Sequence, residues 1–308
     1  MQAAEVLAPV LADLGLELRS SEPWPYATSH SLTSLVVARS DGTEEWLLHK
    51  RLDTSGVLPA AVGKRPEDVV EARREIDAYR EVLPRLSGPP ACLAGNLEEL
   101  WLLLEHVEGP VLWQIGELGP WLDAARWLAT AHRTLAASTC SAPASFVRYD
   151  AAYYERWSDR ALAFERDGAR RRRLLVLAGS YRRAVDDLLD LPPTVIHGEC
   201  YPSNIVVASA AGGARVCLVD WEMAGIGPGS VDLAALLTGW PHDQRQALVS
   251  AYAAVAGRDA TGVAAEVDRA ELHLCMRWLG WAARWTPPAE HAHDWLARGL
   301  ELAEELGG

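Results

Sequence analysis

The segment from Thr194 to Glu222, which reads TVIHGECYPSNIVVASAAGGARVCLVDWE, constrains the fold more than any other part of the chain. Two apolar, strand-like runs within it, residues 205–208 and 216–219, flank the turn sequence Ala211-Gly212-Gly213. This arrangement is typical of a β-hairpin. Because Pro202 disfavours helix just before the hairpin, we expect the chain to enter the first strand from an irregular polar loop.

The predicted hairpin brings polar side chains together at its open end. Asn204 precedes the first strand and Asp220 follows the second, so antiparallel pairing places them about one strand spacing apart, about 4.7–4.9 Å. Glu199 belongs to the loop before Asn204, and Glu222 closely follows Asp220. We therefore expect an amide oxygen and two or three carboxylates to converge at one end of the hairpin.

Oxygen donors of this kind suit Mg²⁺, which takes few protein ligands and completes its coordination with water and substrate phosphates. A carboxylate outside the metal shell can orient and deprotonate a hydroxyl group. The set therefore favours a site for a metal ion and a reacting hydroxyl. The competing interpretation is that these side chains are polar loop residues that cap one another.

Residues 15–107 combine strand-like runs with a single helix. The runs 32–39 and 44–50 flank the turn sequence Ser-Asp-Gly-Thr and predict a second hairpin. The spacing of apolar residues predicts the helix over about 67–86. A further strand is predicted at 101–107, and the Glu-Gly-Pro sequence after it is typical of a connection between lobes.

The second part of the chain is predominantly helical. Helical spacing of apolar residues extends over 110–190 and again over 231–308, on either side of the loop and hairpin. We predict an α+β protein with two lobes. Residues 1–107 form a lobe with an antiparallel sheet and a helix, and residues 108–308 form a mainly helical lobe that carries the polar loop and the β-hairpin.

Composition argues against several classes of protein. The formal net charge of −13 disfavours non-specific nucleic-acid binding, which needs a basic surface. No apolar run approaches the roughly 18 residues of a membrane span, and the start of the chain lacks the basic region of a signal peptide. The five cysteines show no metal-binding spacing, so we expect free thiols. We predict a cytoplasmic protein that binds neither nucleic acid nor a membrane.

Tryptophans recur at helical spacing near the C-terminus, at Trp278, Trp281 and Trp285. The simplest interpretation is a packing face of a helix, although aromatic side chains beside a cleft can also hold a substrate. His132, on the apolar face of a predicted helix, is likewise interpreted as a packed structural histidine.

The motif HGExxxxN at residues 197–204, followed by Asp220-Trp221-Glu222, resembles the catalytic motifs of the aminoglycoside phosphotransferase and choline kinase family. The enzymes of this family share the bilobal protein-kinase-like fold, and the resemblance covers most of the chain in order. Lys50, at the end of the WLLHK run, resembles the phosphate-pairing lysine. Glu75, in the helical sequence RREIDAYREVL, resembles its partner.

The resemblance implies an ATP- and Mg²⁺-dependent transfer of the γ-phosphoryl group to a hydroxyl of a small molecule. An aminoglycoside, a sugar, a nucleoside or another natural product would be the acceptor, with a role in antibiotic resistance or self-protection as one outcome. The implied metal ligands are Asn204, Asp220 and Glu222. Glu199 is implied as the catalytic residue that accepts a hydrogen bond from the attacking hydroxyl. His197 and Asp232 are implied to support the catalytic loop.

The implied nucleotide site draws on several segments of the N-terminal part. Lys50 would hold the α- and β-phosphates, with Glu75 fixing its ammonium. The further residues implied in nucleotide binding are Glu105 and Val107, in the hinge-like segment WLLLEHVEG, and Ser29 and Ser31, where a phosphate-covering loop is expected. This loop segment, 24–31, differs from the family pattern because it contains no glycine.

Glu199 also departs from the family pattern, because the family has Asp at this position. The additional methylene displaces the carboxylate, and a misplacement of about 1 Å can cost on the order of 10²-fold in rate. We expect a compensating change, because Lys50 and the implied metal ligands remain. Gly198 stands where protein kinases carry Arg, and no APE-like segment follows Asp220, which favours a small-molecule kinase over a regulated protein kinase.

Two alternatives remain open. The first is a catalytically silent pseudokinase that binds a nucleotide or a partner without turnover, and Glu199 is the feature that motivates it. The second is an unrelated α+β scaffold in which the motif is accidental. The latter predicts no Mg²⁺-dependent nucleotide binding.

Overall fold

The computed structural model describes residues 3–25, 30–58, 66, 71–210, 213–281 and 293–307. An antiparallel sheet with the strand order β1-β2-β3-β5-β4 forms the N-terminal part. Its strands are β1 (Leu16–Pro23), β2 (Leu32–Arg39), β3 (Glu44–Arg51), β4 (Cys92–Asn96) and β5 (Trp101–Glu105). The predicted hairpin of β2 and β3 is confirmed, with Leu32 opposite Lys50.

The residues of β3 alternate between the two faces of this sheet. Leu47 is buried in an apolar cluster with Leu7 of α1 (Ala3–Asp13), which covers one face. His49, two residues on, lies on the same face and is 2% exposed. Lys50 therefore points to the opposite face, toward the C-terminal part of the chain.

The helix predicted over about 67–86 is irregular. Its described part consists of α2 (Ala72–Asp77), a π-helical turn (Ala78–Val82) and a 3₁₀ turn (Leu83–Arg85). Residues 67–70 lie outside the described part of the chain. Pro84 has no amide hydrogen to donate, so a regular α-helix is not continued through this turn. Glu75 lies in the α-helical portion and is 1% exposed.

The C-terminal part is mainly helical, as predicted. Its helices are α3 (Leu118–Leu135), α4 (Ala151–Phe164), α5 (Gly168–Leu189), α6 (Ser230–Leu236), α7 (His242–Ala256), α8 (Ala260–Gly280) and α9 (Trp295–Gly307). Helix α8 packs against α4, α5, α6, α7 and α9 and forms the centre of this part. Among the helices in the described ranges, none combines the length and the apolar character that crossing a membrane requires.

The hairpin of β8 (Ile205–Ala210) and β9 (Gly213–Leu218) is confirmed, with Ile205 opposite Leu218. A second small sheet, which the sequence did not predict as such, stands beside it. Its strands are β6 (Val147–Arg148), β7 (Pro193–Ile196) and β10 (Gly225–Pro228), in the order β6-β10-β7.

Strand β10 has the sequence Gly-Ile-Gly-Pro, which carries little strand propensity. A Cβ at Gly227 would lie 2.9 Å from Cβ of Tyr149, so close packing favours glycine here. Tertiary contacts therefore form this strand against the local preference of its residues. The α+β class is confirmed, and the boundary between lobes after residue 107 stays a prediction.

Candidate active site

The polar loop after β7 is held by Asp232 of α6, which is 1% exposed. Its carboxylate accepts hydrogen bonds from the backbone amides of His197, at 2.7 Å, and Gly198, at 2.8 Å. His132 Nε2 lies 3.2 Å from Asp232 Oδ2. Burial opposes ionisation of this carboxyl, but the hydrogen bond with His132 and the nearby imidazoles outweigh it and lower the pKa of Asp232. The structure thus brings together the two residues predicted to support the loop, His197 and Asp232.

The imidazole of His197 joins the loop to the end of the hairpin. Its Nδ1 accepts a hydrogen bond from the amide of Glu199, at 3.1 Å. The proton of the neutral ring therefore belongs on Nε2, which donates to the carbonyl of Val219 at 2.9 Å. The ring also packs edge-on against Trp221, with centroids 4.7 Å apart. His197 thereby fixes the distance between the loop and the strand that leads to Asp220.

Gly198 has a left-handed conformation with φ +80°. A Cβ at this position would lie 2.4 Å from the carbonyl oxygen of Met223, closer than real Cβ contacts. Any side chain here would therefore collide with backbone. This close approach accounts for a glycine at the position where protein kinases carry Arg.

Asn204 and Asp220 both lie at the open end of the hairpin, where Ile205 pairs with Leu218. The amide of Val219 donates to the carbonyl of Asn204 at 2.9 Å, and Asn204 Nδ2 donates to the carbonyl of Glu199 at 2.9 Å. The side-chain amide is thus oriented by its nitrogen, which leaves Oδ1 as an acceptor. Asp220 has φ +66°, a left-handed conformation that Asp tolerates better than most residues. Both side chains supply the hard oxygen donors that suit Mg²⁺.

Lys50 lies between two carboxylates. Its Nζ is 2.6 Å from Glu75 Oε2 and 2.5 Å from Asp220 Oδ1. Burial of the ammonium opposes its charge, but the Asp220 and Glu75 carboxylates outweigh this and raise the pKa of Lys50. The structure therefore joins a strand and a helix of the N-terminal part to the proposed metal site of the C-terminal part.

The three carboxylates expected at this end of the hairpin each have a different partner. Asp220 pairs with Lys50, Glu199 pairs with an arginine described below, and Glu222 Oε2 lies 3.8 Å from His30 Nδ1. Within the described ranges, no group of three or more His, Cys, Asp or Glu side chains is arranged to hold a metal ion. The predicted convergence of these carboxylates on one metal ion stays a prediction. Asn204 and Asp220 are the candidate oxygen donors for a metal ion at this place, where phosphate oxygens would complete the shell.

Arg277 of α8 is a residue of the site that the sequence analysis missed. Its side chain is fully buried, and its Nη2 donates to Glu199 Oε1. Its Nη1 donates to the carbonyl of Gly198 at 2.6 Å. The sequence offered only a weak signal, a charged residue beside Trp278 on a helix that is otherwise apolar at this end.

Arg74 of α2 was also missed. Its Nε donates to the carbonyl of Ser145 at 2.7 Å, and its Nη1 donates to the carbonyl of Glu222 at 2.8 Å. Ser145 Oγ in turn donates to Asp77 Oδ2 at 2.6 Å. These contacts fasten α2, and with it Glu75, to the turn that follows Asp220.

The hinge-like segment contributes a structural contact. The Glu105 carboxylate accepts hydrogen bonds from Arg215 Nη1, at 2.5 Å, and from Nη2, at 2.9 Å, and it also accepts the amide of Ala91 at 2.9 Å. These hydrogen bonds, foremost those from Arg215, lower the pKa of Glu105. The side chain therefore ties the end of β5 to β9, so contacts to a base would come from the backbone at this point. Val107, just beyond β5, is half-buried.

The predicted phosphate-covering loop is described only in part. Ser31 is half-buried; its amide donates to the carbonyl of Gly56 at 2.6 Å, and its carbonyl accepts from the amide of Arg51 at 3.1 Å. Ser29 lies outside the described residues. The backbone of Ser31 is thus used for structure, and its hydroxyl is the group that could reach a phosphate.

The tryptophans of α8 pack, as the simpler interpretation predicted. The guanidinium of Arg277 covers the Trp281 ring, with its carbon 5.0 Å from the centroid. Trp281 also stacks on Trp157, with centroids 5.7 Å apart. Trp281 is therefore packed within the protein and buried. Trp278 lies 5.6 Å from the ring of Tyr201, and Trp285 is outside the described residues.

Several solved structures share this fold. The GDP complex of wild-type aminoglycoside 2′-phosphotransferase-IIIa has a TM-score of 0.61 at 15% identity, covering 99% of this chain and 98% of that chain. A choline/ethanolamine kinase family protein from Mesorhizobium loti has a TM-score of 0.64 at 18% identity, with 100% and 97% covered. The macrolide 2′-phosphotransferase MphH from Brachybacterium faecium has a TM-score of 0.60 at 17% identity, with 89% and 91% covered. These likenesses confirm the predicted protein-kinase-like fold.

The comparison with curated proteins found no match. The sequence model of the APH family, described as the phosphotransferase enzyme family, matches residues 31–273. This match confirms the predicted enzyme class, a small-molecule phosphotransferase. Because it extends over well more than half of the chain and includes both Lys50 and the hairpin site, the protein belongs to the APH phosphotransferase enzyme family.

Proposed function

We propose that the protein transfers the γ-phosphoryl group of ATP, with Mg²⁺, to a hydroxyl group of a small molecule. The observation that carries this proposal is the position of Lys50. Its ammonium lies between the Glu75 and Asp220 carboxylates, at 2.6 and 2.5 Å. A cation held beside a proposed metal ligand suits the neutralisation of charge on a transferred phosphoryl group.

The nucleotide would bind between the N-terminal sheet and the hairpin loop. Lys50 would hold the α- and β-phosphates, with Glu75 keeping the ammonium in place. The backbone near Glu105 and Val107 is proposed to receive the base, and Ser31 and Ser29 are proposed to approach the phosphates. All of these proposed nucleotide contacts come from residues up to 107, which agrees with the proposed lobe boundary after that residue.

Asn204 and Asp220 are the proposed magnesium ligands. When bound, the ion supplies charge neutralisation between the phosphates. Glu222 is the predicted third donor, and one of its carboxylate oxygens lies 3.8 Å from His30 Nδ1. Asn204 is suited to its part because its amide nitrogen is already engaged by Glu199, so its oxygen is presented as an acceptor.

Glu199 is the proposed catalytic residue. Its carboxylate would accept a hydrogen bond from the attacking hydroxyl and fix the direction of attack. Phosphoryl transfer depends chiefly on positioning and charge stabilisation, so orientation of the hydroxyl matters more than strong basicity. The side chain of Glu199 is 13% exposed, which leaves it accessible to an acceptor.

The acceptor is proposed to be an aminoglycoside, a sugar, a nucleoside or another natural product with a free hydroxyl. The solved relatives include an aminoglycoside phosphotransferase, a macrolide phosphotransferase and a choline/ethanolamine kinase family protein, which together span several acceptor chemistries. The residues after 108 would form the acceptor pocket. Antibiotic resistance is one role that this chemistry would serve.

The alternative is a pseudokinase that binds nucleotide without turnover. Glu199 in place of Asp, together with its ion pair to Arg277, is the observation that favours it. A silent protein would bind nucleotide and release no ADP with any acceptor. Glu199→Asp would not restore turnover in such a protein.

Calorimetry of ATP binding with and without Mg²⁺, followed by ADP release across aminoglycosides, macrolides, nucleosides, sugars and choline, tests the proposal. We expect Mg²⁺-dependent binding and release of ADP that depends on one class of acceptor. Binding without release by the wild-type protein and by Glu199→Asp supports the pseudokinase. The absence of nucleotide binding contradicts both functions.

A further inference from the structure

Arg277 makes two contacts with consecutive residues of the catalytic loop. Its Nη1 donates to the carbonyl of Gly198 at 2.6 Å, and its Nη2 donates to Glu199 Oε1. A single planar guanidinium thus spans the backbone at one residue and the side chain of the next. Because both donors belong to one rigid group, the carboxylate is held at a fixed distance from the loop backbone.

The position of Arg277 is itself determined by its surroundings. The side chain is fully buried in α8, at the centre of the helical part, and its guanidinium lies over Trp281. Its Nε is buried without a hydrogen-bond partner among the described residues. The two loop contacts are therefore the hydrogen bonds that the structure shows for this guanidinium within its described ranges.

A buried guanidinium carries a desolvation penalty that an apolar side chain would avoid. Helix α8 contacts five other helices through mainly apolar residues, so an arginine is not needed for packing. Its pairing with Glu199 is the feature that distinguishes it from an apolar residue. This indicates a role in the site.

Glu199 needs such a partner more than Asp would. Glutamate has an additional rotatable bond, so its carboxylate would otherwise occupy several staggered positions. The guanidinium engages Oε1, and no partner of Oε2 is recorded in the described part of the chain. One oxygen is thus anchored while the other is available to an acceptor hydroxyl.

We propose that Arg277 is the positioning residue that holds the Glu199 carboxylate for catalysis and compensates for the glutamate in place of aspartate. The proposal rests on the proposed function of Glu199. Arg277 touches neither the hydroxyl nor the phosphates in this scheme and acts through the Glu199 carboxylate and the backbone at Gly198.

Kinetics of Arg277→Met give the first test. We expect kcat to fall about 10²-fold, since a misplacement of about 1 Å costs on that order, while KM for ATP changes less than about 3-fold. Arg160→Met is the matched control. Arg160 donates to the carbonyls of Gly280 and Trp281, at 2.8 and 2.9 Å, at the same end of α8 without touching the loop. This control should keep kcat within about 3-fold of wild type.

A double-mutant cycle with Glu199→Asp separates positioning from general packing. The shorter aspartate does not reach the guanidinium in the same way. Arg277→Met should therefore lower kcat by a smaller factor in the Glu199→Asp background than in the wild-type background, because only the hydrogen bond to the Gly198 carbonyl is then lost. An equal loss in both backgrounds, or a wild-type kcat in Arg277→Met, overturns the proposal.

Arg277→Lys keeps the positive charge and replaces Arg277→Met as the test if the methionine variant does not fold. An ammonium lacks the planar fork, so we expect a smaller loss of kcat with unchanged KM for ATP. An unchanged kcat in Arg277→Lys counts against the proposal, because the fork geometry is its basis.

Crystal structures of wild type and the Arg277 variant that folds, each with ADP and Mg²⁺, give a readout that does not depend on turnover. We expect the Glu199 carboxylate to move by about 1 Å or more in the variant. If wild type shows no turnover with any acceptor, the proposed function fails and this displacement alone decides the positioning role. A carboxylate that stays in place overturns that role.

Discussion

The ammonium of Lys50 lies 2.5 Å from the Asp220 carboxylate, although 170 residues separate the two in the sequence. Lys50 belongs to a strand of the N-terminal sheet, and Asp220 follows the hairpin of the C-terminal part. This ion pair, with Glu75 on its other side, is therefore the point at which the two parts of the chain assemble one site.

Lys50→Met should lower kcat/KM by about 10²-fold or more, because the phosphates lose a preorganised cation. It should also destabilise the protein, since removing one partner of a buried ion pair costs about 3–5 kcal/mol. Steady-state kinetics and urea unfolding measure the two effects.

The double variant Lys50→Met/Glu75→Leu should recover much of this stability and none of the activity, because apolar residues often replace a buried pair without loss. Arg51→Met, at the next and half-exposed position of β3, is the control. A change in kcat/KM of less than about 3-fold in Lys50→Met would remove this residue from the site.

Asp220→Asn should abolish the effect of Mg²⁺ on ATP affinity, because the ion loses an anionic ligand. Asparagine also tolerates the left-handed backbone found here, with φ +66°, so the fold should persist. Asp220→Ala should also abolish turnover, with added backbone strain. Calorimetry with and without Mg²⁺ is the measurement.

The Glu222→Gln variant tests whether Glu222 contributes to Mg²⁺ binding in addition to Asp220. Because Glu222 faces His30, we expect this variant to retain Mg²⁺-dependent ATP binding. Normal Mg²⁺-dependent binding and turnover in Asp220→Asn would contradict the proposed metal site. Loss of Mg²⁺ dependence in Glu222→Gln would place Glu222 among the ligands.

The free energy of unfolding should decrease in mild acid because of His49. Burial, with a smaller contribution from the charge of Arg51, lowers the pKa of His49 from 6.5 to about 4. Between these values the unfolded chain binds more protons than the folded one, so this stability is present above pH 6.5 and is lost as the pH falls toward 4. The full difference corresponds to about 3 kcal/mol, at about 1.4 kcal/mol per pKa unit.

His49→Phe should weaken this dependence, because phenylalanine can pack against Trp101 without binding a proton. Urea unfolding midpoints at pH 7.5 and 5 provide the comparison, with the exposed His242→Ala as a control that keeps the wild-type dependence. The same decline with pH in His49→Phe and wild type would show that other groups cause it.

Arg74→Met should loosen α2. The variant loses two hydrogen bonds from a buried guanidinium to the carbonyls of Ser145 and Glu222, and bonds to charged groups contribute about 1.5–3 kcal/mol each. We expect faster amide exchange in residues 72–77 and a lower kcat, because Glu75 no longer holds Lys50 in one place.

Arg73→Met is the matched control, since Arg73 is exposed on the same helix. The hydrogen-exchange rates of Arg74→Met and Arg73→Met should differ from each other in α2 alone. If exchange in α2 is unchanged in Arg74→Met, the helix is held by other contacts and Arg74 has no part in placing Glu75.

Much of the site followed from local sequence. The hairpin of β8 and β9 was predictable because β-branched runs around a Gly-Gly turn specify pairing over a few residues. The position of Asn204 and Asp220 at its open end then followed from strand geometry alone. The strand that carries Lys50 was visible for the same reason, whereas the motif around His197 was recognised by its resemblance to the family pattern.

The tertiary structure decided which partner each charged group would take. Arg277 and Arg74 lie on helices, and helical periodicity predicts only that these positions are buried. The neighbouring sequence does not indicate which backbone carbonyl or carboxylate each arginine will contact. The different partners of Glu199, Asp220 and Glu222 have the same origin. Pairing of the strands in a hairpin depends on neighbours in the chain, whereas buried ion pairs form only when distant elements pack together. The sequence by itself therefore determined the hairpin, and the tertiary structure decided the contacts of its carboxylates.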